Sequence, residues 1–301
     1  MKKYVCILIT ILISLMSSLF YPSCSVASSE NNKISIQNVI NSINAIQKYQ
    51  VNLNTKIYSP TASDLGPSTS DEFDPNRFME VKSKVFGESG KRMKIQTIMK
   101  SPEMGTEIEF TLIFDGTWLW VQQKANKLPQ MKTNQPVISA MKIHIPSVSP
   151  DPINEPFNTI YGIAGTGLFR YKDLPGTFMK LIEDYSFLND ITLTDSKEII
   201  FSGTKKIIKK DSIKGALDKK LNEFMDTSTK FCKLWVSEDT GRIKAYSVGK
   251  SEKRPTMRTE IEYISVNEQL PDDIFTYVPP EGLIVRDSTA TILKTQQATN
   301  K

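Results

Sequence analysis

One histidine, three cysteines and a scatter of carboxylates are the side chains with which this chain could do covalent or metal chemistry. A serine triad would have to recruit His144, which sits in MKIHIPS between Ile143 and Ile145, and no Gly-x-Ser-x-Gly turn accompanies it. A lone histidine among isoleucines reads as packed. His-Glu-x-x-His needs a second histidine, so that zinc chemistry is out of reach. The glycine-rich run GIAGTGLF at 162–169 lacks the Lys-Ser/Thr of a phosphate loop and follows no clear strand, so it reads as a hinge or turn. Asp71-Glu72-Phe73-Asp74 does not match calcium-loop spacing. Paired acids for glycosidic cleavage could meet in space, but no pair recommends itself. The expectation is a protein that is not an enzyme, with no cofactor and no metal.

Cysteine placement points the same way. Cys6 and Cys24 lie in the N-terminal segment, and Cys232 is flanked by Phe231, Leu234 and Trp235, the setting of an inert strand thiol. No framework of several disulfides can be built from three cysteines. The formal charge is +5, from 38 basic and 33 acidic residues that are interspersed. A balance so near neutral excludes a dedicated nucleic-acid binder, which needs a basic face to displace counterions.

At the N-terminus, Lys2 and Lys3 precede an uncharged run from Tyr4 to Phe20, then Pro22, and small residues Ser25 and Ala27 at −3 and −1 of a cleavage after Ala27. Basic start, apolar middle and small-residue exit make a secretory signal peptide over 1–27. The apolar run is also near the lower limit for a membrane anchor. Cys24 is a possible lipidation site, which would tether the product to a membrane, although Tyr21, Pro22 and Ser23 fit a lipoprotein box poorly. The chain is expected to be exported, and periplasmic if its organism has an outer membrane.

The full 301-residue chain has 39% hydrophobic and 24% charged residues, enough for the mature part, 28–301, to bury a core in one large domain or two small ones. Ile36, Val39, Ile40 and Ile43 behind Ser35 predict an amphipathic helix over 36–49, and Val51, Leu53, Thr55 and Ile57 share one side of a following strand. Residues 59–77 read as a flexible loop. From Phe78 the period is two: MEVKSKVF, KRMKIQTIMK, GTEIEFTLIF and TWLWVQQ are successive strands separated by turn residues. Residues 125–176 are proline-rich and show little alternation. Thr177 is read as the cap of a short helix through Phe178, Leu181, Ile182 and Tyr185, with strands at 190–194 and 197–202 and another amphipathic helix at 212–225. A hairpin in FCKLWVSEDTGRIKAYSVG, a strand around TMRTEIEYISV and a proline-punctuated tail, expected to be disordered over 290–301, close the chain. No strand-helix-strand rhythm appears, so the fold class is α+β: one strongly curved antiparallel sheet with helices covering its apolar face. Met79, Met93, Met99, Met131, Met179 and others supply flexible apolar surface, which suits either an ordinary core or a cavity for variable chains.

These elements resemble a known family. In LPDDIFTYVPPEGLIVRDS, the residues Phe275, Tyr277, Pro279, Pro280, Gly282, Val285 and Asp287 stand where the bacterial outer-membrane lipoprotein carrier (LolA/LolB-like) superfamily has its closing strand. FDGTWLWV is similar to its Asp-Gly-x-x-Leu-Trp hairpin through Asp115, Gly116, Leu119 and Trp120, MKIQTIMKSP to an earlier strand, and LWVSEDTGRIKAYSV to its late hairpin. The resemblance runs in family order from about residue 34 to 289. It implies an unclosed half-barrel whose helices cover an apolar concave face. It further implies a single LolA-like domain, a non-enzymatic carrier or chaperone that binds lipid or lipoprotein acyl chains and shuttles them through the envelope. Lipid or lipidated protein cargo and membrane donor or acceptor proteins are its implied partners, with a monomer expected. Strand parity then assigns the cavity to Met93, Ile95, Met99, Ile108, Phe110, Leu112, Phe114, Trp118, Trp120, Phe178, Leu181 and Trp235. The family's lid-holding arginine is followed by proline; SGKRMK has no such proline, and Arg92 is the candidate. An envelope sensor or regulatory interaction module on the same scaffold is the alternative, as is a membrane-tethered receptor held through Cys24.

Overall fold

The computed structural model describes residues 34–58, 74–101, 105–127, 136–148, 173–188, 192–193, 197–206 and 229–299. The expected signal peptide with Cys24, the glycine-rich run at 162–169, the helix at 212–225 and most of the loop at 59–77 lie outside them.

Helix α1 (Ile36–Asn44) starts where Ser35 predicts: Asn38 N–H donates to Ser35 Oγ, and Ser35 N–H donates to Asn38 Oδ1 at 2.9 Å. It ends five residues earlier than its apolar pattern suggests. The cause is Asn267, far along the chain at φ 63°, whose Oδ1 accepts from Gln47 N–H at 2.8 Å and whose amide donates to Ala45 O at 2.9 Å. That side chain satisfies the backbone leaving the helix and aims it into strand β1 (Lys48–Tyr58).

A meander follows through β2 (Phe78–Glu88), β3 (Arg92–Ser101), β4 (Thr106–Phe114), β5 (Trp118–Lys127) and β6 (Val137–His144), then the single turn α2 (Ile145–Val148). Helix α3 (Leu174–Asp184) leads to β7 (Tyr185–Phe187), β8 (Thr192–Leu193), β9 (Glu198–Lys205), β10 (Phe231–Ser237), β11 (Ile243–Ser251) and β12 (Arg254–Val266). A 3₁₀ turn at Asp272–Phe275, β13 (Val285–Asp287) and α4 (Thr289–Thr299) follow, so residues 290–299 are helical where disorder was expected. The cap of α3 is Asp173, not Thr177. Asp173 Oδ1 accepts from Gly176 N–H at 2.7 Å and Pro175 fills the first turn, where a missing N–H costs nothing.

Among the described residues all thirteen strands join one sheet in the order β13-β6-β5-β4-β3-β2-β1-β12-β11-β10-β9-β7, with β8 also on β9. The edges do not meet, so this is an unclosed, half-barrel-like α+β sheet. Every pair is antiparallel except β13 on β6, where the returning tail runs parallel.

Register lines up one face across the sheet. Tyr263, Val51, Val85, Ile95, Leu112, Val121 and Met141 form one such row, and Val51, Val85, Ile95 and Leu112 within it are fully buried. Hydroxyls that fall on this face pair with one another: Thr55 with Thr259 at 2.9 Å and Ser83 with Thr97 at 2.8 Å. Pairing removes the penalty of burying them. Helix α3 lies on this face, with Phe178 edge-on to Tyr246 at 6.3 Å, and α1 packs against α3 and the β10–β11 turn, where Ser42 Oγ donates to Thr240 O. The opposite face carries Asn52, Asn54, Lys82, Lys84, Glu260 and Glu262 on neighbouring strands.

Candidate functional site: a latched apolar face and a polar trough

The β2–β3 turn holds the start of α3. Asp173 Oδ2 accepts from Ser89 Oγ at 3.0 Å and from Gly90 N–H at 2.9 Å, while its other oxygen caps the helix. Beside it the buried Tyr49 hydroxyl accepts from Leu174 N–H at 3.1 Å. Burial, reinforced by the Asp173 charge, pushes the Tyr49 hydroxyl well above its ordinary pKa, so it stays neutral. Gly87 lets the ring lie flat: a Cβ there would stand 2.2 Å from Tyr49 Cζ. These three hydrogen bonds from the sheet form a latch over the apolar face, and sequence patterns alone offered no hint of it.

The residues assigned to a cavity divide between the two faces. Met93, Ile95, Phe110, Leu112 and Phe114 are buried on the face that α3 covers, with Met99 and Ile108 half-buried on the same side, and Phe178 descends from α3 fully buried. Leu181 is half-buried on that helix. Trp118, Trp120 and Trp235 lie on the other face. There Lys142 Nζ sits 4.6 Å from the Trp118 ring and 5.6 Å from Trp120, and Arg258 stacks on Trp235 at 4.7 Å. His144 packs its ring on Trp118 at 4.8 Å and bonds Ser147 Oγ through Nδ1. Cys232 is buried, and desolvation pushes its thiol far above the ordinary range.

Arg92 contacts the C-terminal segment instead of α3. It pairs with Glu88 at 3.0 Å and Asp272 at 2.9 Å and lies 4.6 Å over the Phe275 ring. Phe86, Leu270 and Phe275 form a small buried cluster there. Farther on, Tyr277 stacks on Trp120 at 5.1 Å and donates its hydroxyl to Gln122 Oε1 at 2.9 Å. The segment 268–287 is thus a strap across the polar face, ending in β13. Phe275 and Tyr277 are its aromatic anchors.

An open trough of about 880 Å³ occupies the rest of the polar face, crossing the strands from β4 to β9. Lys82, Lys84, Asn52, Asn54, Glu260 and Glu262 line its middle. Among the described residues nothing donates to the buried Asn54 Oδ1. Among the described residues no three His, Cys, Asp or Glu side chains gather as a metal set.

No family model matches this sequence, and no curated protein matches it. Among solved structures, the chain is similar to a DUF1329 family protein from Desulfovibrio piger ATCC 29098, with a TM-score of 0.31 at 10% identity over 80% of this chain and 95% of that one. It is also similar to a candidate outer membrane lipoprotein-sorting protein domain from Vibrio parahaemolyticus, with a TM-score of 0.27 at 11% identity over 79% of this chain and 94% of that one. Both are loose superpositions, and neither carries the functional argument.

Proposed function

We propose that the protein is an exported, non-enzymatic carrier of the LolA-like kind, which takes acyl chains of lipids or lipidated proteins between the apolar sheet face and helix α3. The observation that carries this reading is the latch. A continuous apolar face lies beneath a helix whose N-terminus is held by hydrogen bonds to one turn and one tyrosine. Releasing those bonds bares the face, and a hydrocarbon tail that replaces α3 recovers about 0.8 kcal/mol per methylene removed from water. Cargo entry and latch opening are then the same event, driven without chemistry. Membrane donor and acceptor proteins would set the direction, and a monomer suffices.

The test is native mass spectrometry of the mature protein with lipid extraction, followed by titration with a fluorescent fatty acid. Co-purifying amphiphile and saturable binding are expected. The absence of both would overturn the reading.

A further inference from the structure

Seven large apolar side chains are exposed among the described residues, and four of them meet at one corner of the sheet. Val137 and Ile138 open β6, while Val278 and Ile284 belong to the strap beside it. The strap reaches this corner through Tyr277, which bonds Gln122, and Gln122 stands opposite Ala140 of β6. Ala140 in turn pairs with Val285 in parallel, which brings Ile284 alongside Ser139 and the start of β6. Val278 and Ile284 are the most exposed of the seven, at 77% and 87%.

The loop from Val278 to Ile284 is built to project. Its two ends are fixed, Tyr277 by its stack on Trp120 and Val285 by the β13 pairing. Pro279 and Pro280 each lock φ and stiffen the outward path. A tight turn brings the chain back: Leu283 N–H donates to Pro280 O at 3.1 Å, with Gly282 at φ 75° in the third position, which favours glycine. A Cβ on Gly282 would meet no atom within 4 Å, so the tip stands clear of the rest of the protein. A braced loop cannot fold Val278 and Ile284 back onto the sheet, and both stay in water until something outside covers them.

Two aliphatic side chains on a tip offer far less than the roughly 800 Å² per partner that a stable protein interface buries. A bilayer needs no matching surface. Behind the tip the side chains are those that settle at a bilayer–water boundary: Trp118, Trp120 and Tyr277 are half-buried, Lys142 Nζ lies 4.6 Å from the Trp118 ring, and Arg286 is exposed on β13. Glu281 is the one acid from Thr276 to Arg286 and confines the loop to shallow entry, while Asp287 is engaged by Thr289 N–H. We propose that this corner docks on a lipid bilayer, with Val278 and Ile284 dipping to the acyl boundary and the Trp118, Trp120, Tyr277 and Lys142 ledge resting among the headgroups. Docking in this way needs no acyl cargo, so it goes beyond the carrier reading.

The experiment is flotation of the mature protein with vesicles of equal parts phosphatidylcholine and phosphatidylglycerol. Wild type is expected to float with the vesicles, and the pair Val278→Ser with Ile284→Ser should lower the partition coefficient about tenfold or more, since each aliphatic side chain loses its apolar contact. Leu188→Ser, 58% exposed beside β7 at the other edge of the sheet, should leave it unchanged. These side chains are exposed, and circular dichroism should show every variant folded. A fluorophore on Glu281→Cys should be quenched by lipids brominated on their acyl chains; Cys232 is buried and does not compete for the label. No co-flotation, an unaffected serine pair, an equal loss with Leu188→Ser, or an unquenched label would overturn the proposal. So would a dimer in sedimentation that the serine pair dissociates, which assigns the corner to a second copy. Fatty acid binding should be the same for the serine pair and wild type, so failure of membrane docking and failure of the carrier reading are told apart.

Discussion

Gly87 is the residue on which the latch turns. It opposes Tyr49 across β1 and β2, and only hydrogen fits beneath the ring. Gly87→Ala drives a methyl into a fully buried tyrosine, and overpacking of that kind costs about 1–3 kcal/mol. The loss should appear in urea unfolding as a lower midpoint with an unchanged slope. Tyr49→Phe is the milder neighbour, since it removes one hydrogen bond of about 1 kcal/mol and keeps the packing. Equal stability of Gly87→Ala and wild type would show that the ring moves aside freely. The same ring explains why this glycine carries weight in a strand interior, where glycine is otherwise a weakness.

At the scale of elements, α3 is short and depends on its cap. Asp173→Ala removes an N-cap worth about 1 kcal/mol, together with the two bonds from the β2–β3 turn. Hydrogen exchange over 174–184 should accelerate while β1–β5 stay protected, and Asp173→Asn should recover only part of the protection, because its amide oxygen caps nearly as well but its nitrogen cannot accept from Ser89 and Gly90. Uniform acceleration across the sheet would mean that α3 is part of the global core. Element legibility in the sequence follows from what each strand faces. The strands β1–β5, β10, β11 and β12 alternate visibly because one face is buried and one is wet. Strand β6 hides in the proline-rich region because Ala140 and Ile143, on opposite parities, are both buried. Parity misled at Trp118 and Trp120 for a related reason. The turn after Phe114 sets Phe114 opposite Leu119, which puts both tryptophans on the polar side, away from Phe110 and Leu112. Asn267 ends α1 from more than two hundred residues away, which no local window can register.

Across the whole molecule, one turn grips both covers of the sheet. Ser89 and Gly90 hold α3 on the apolar face, while Glu88 and Arg92, on either side of them in the same turn, hold the strap on the polar face. The strap carries Val278 and Ile284, which are 77% and 87% exposed, so its grip rests on Phe275, Tyr277, the β13 pairing and Arg92. Arg92→Ala should free residues 268–284 to limited proteolysis at a cost of about 1–3 kcal/mol, since Glu88 is buried and loses its hydrogen-bonded partner. Arg92→Lys should protect only partly, because a point charge cannot fork between Glu88 and Asp272. Salt should loosen the Asp272 contact, whose carboxylate is 83% exposed, before the Glu88 contact, whose carboxylate is 10% exposed. Because the two grips lie within the five residues 88–92, their energies should not add. A cycle of Asp173→Ala, Arg92→Ala and the double variant is expected to show a coupling of about 0.5 kcal/mol or more, which distant independent sites do not show. Strict additivity would mean that the turn is rigid and that each face opens without informing the other.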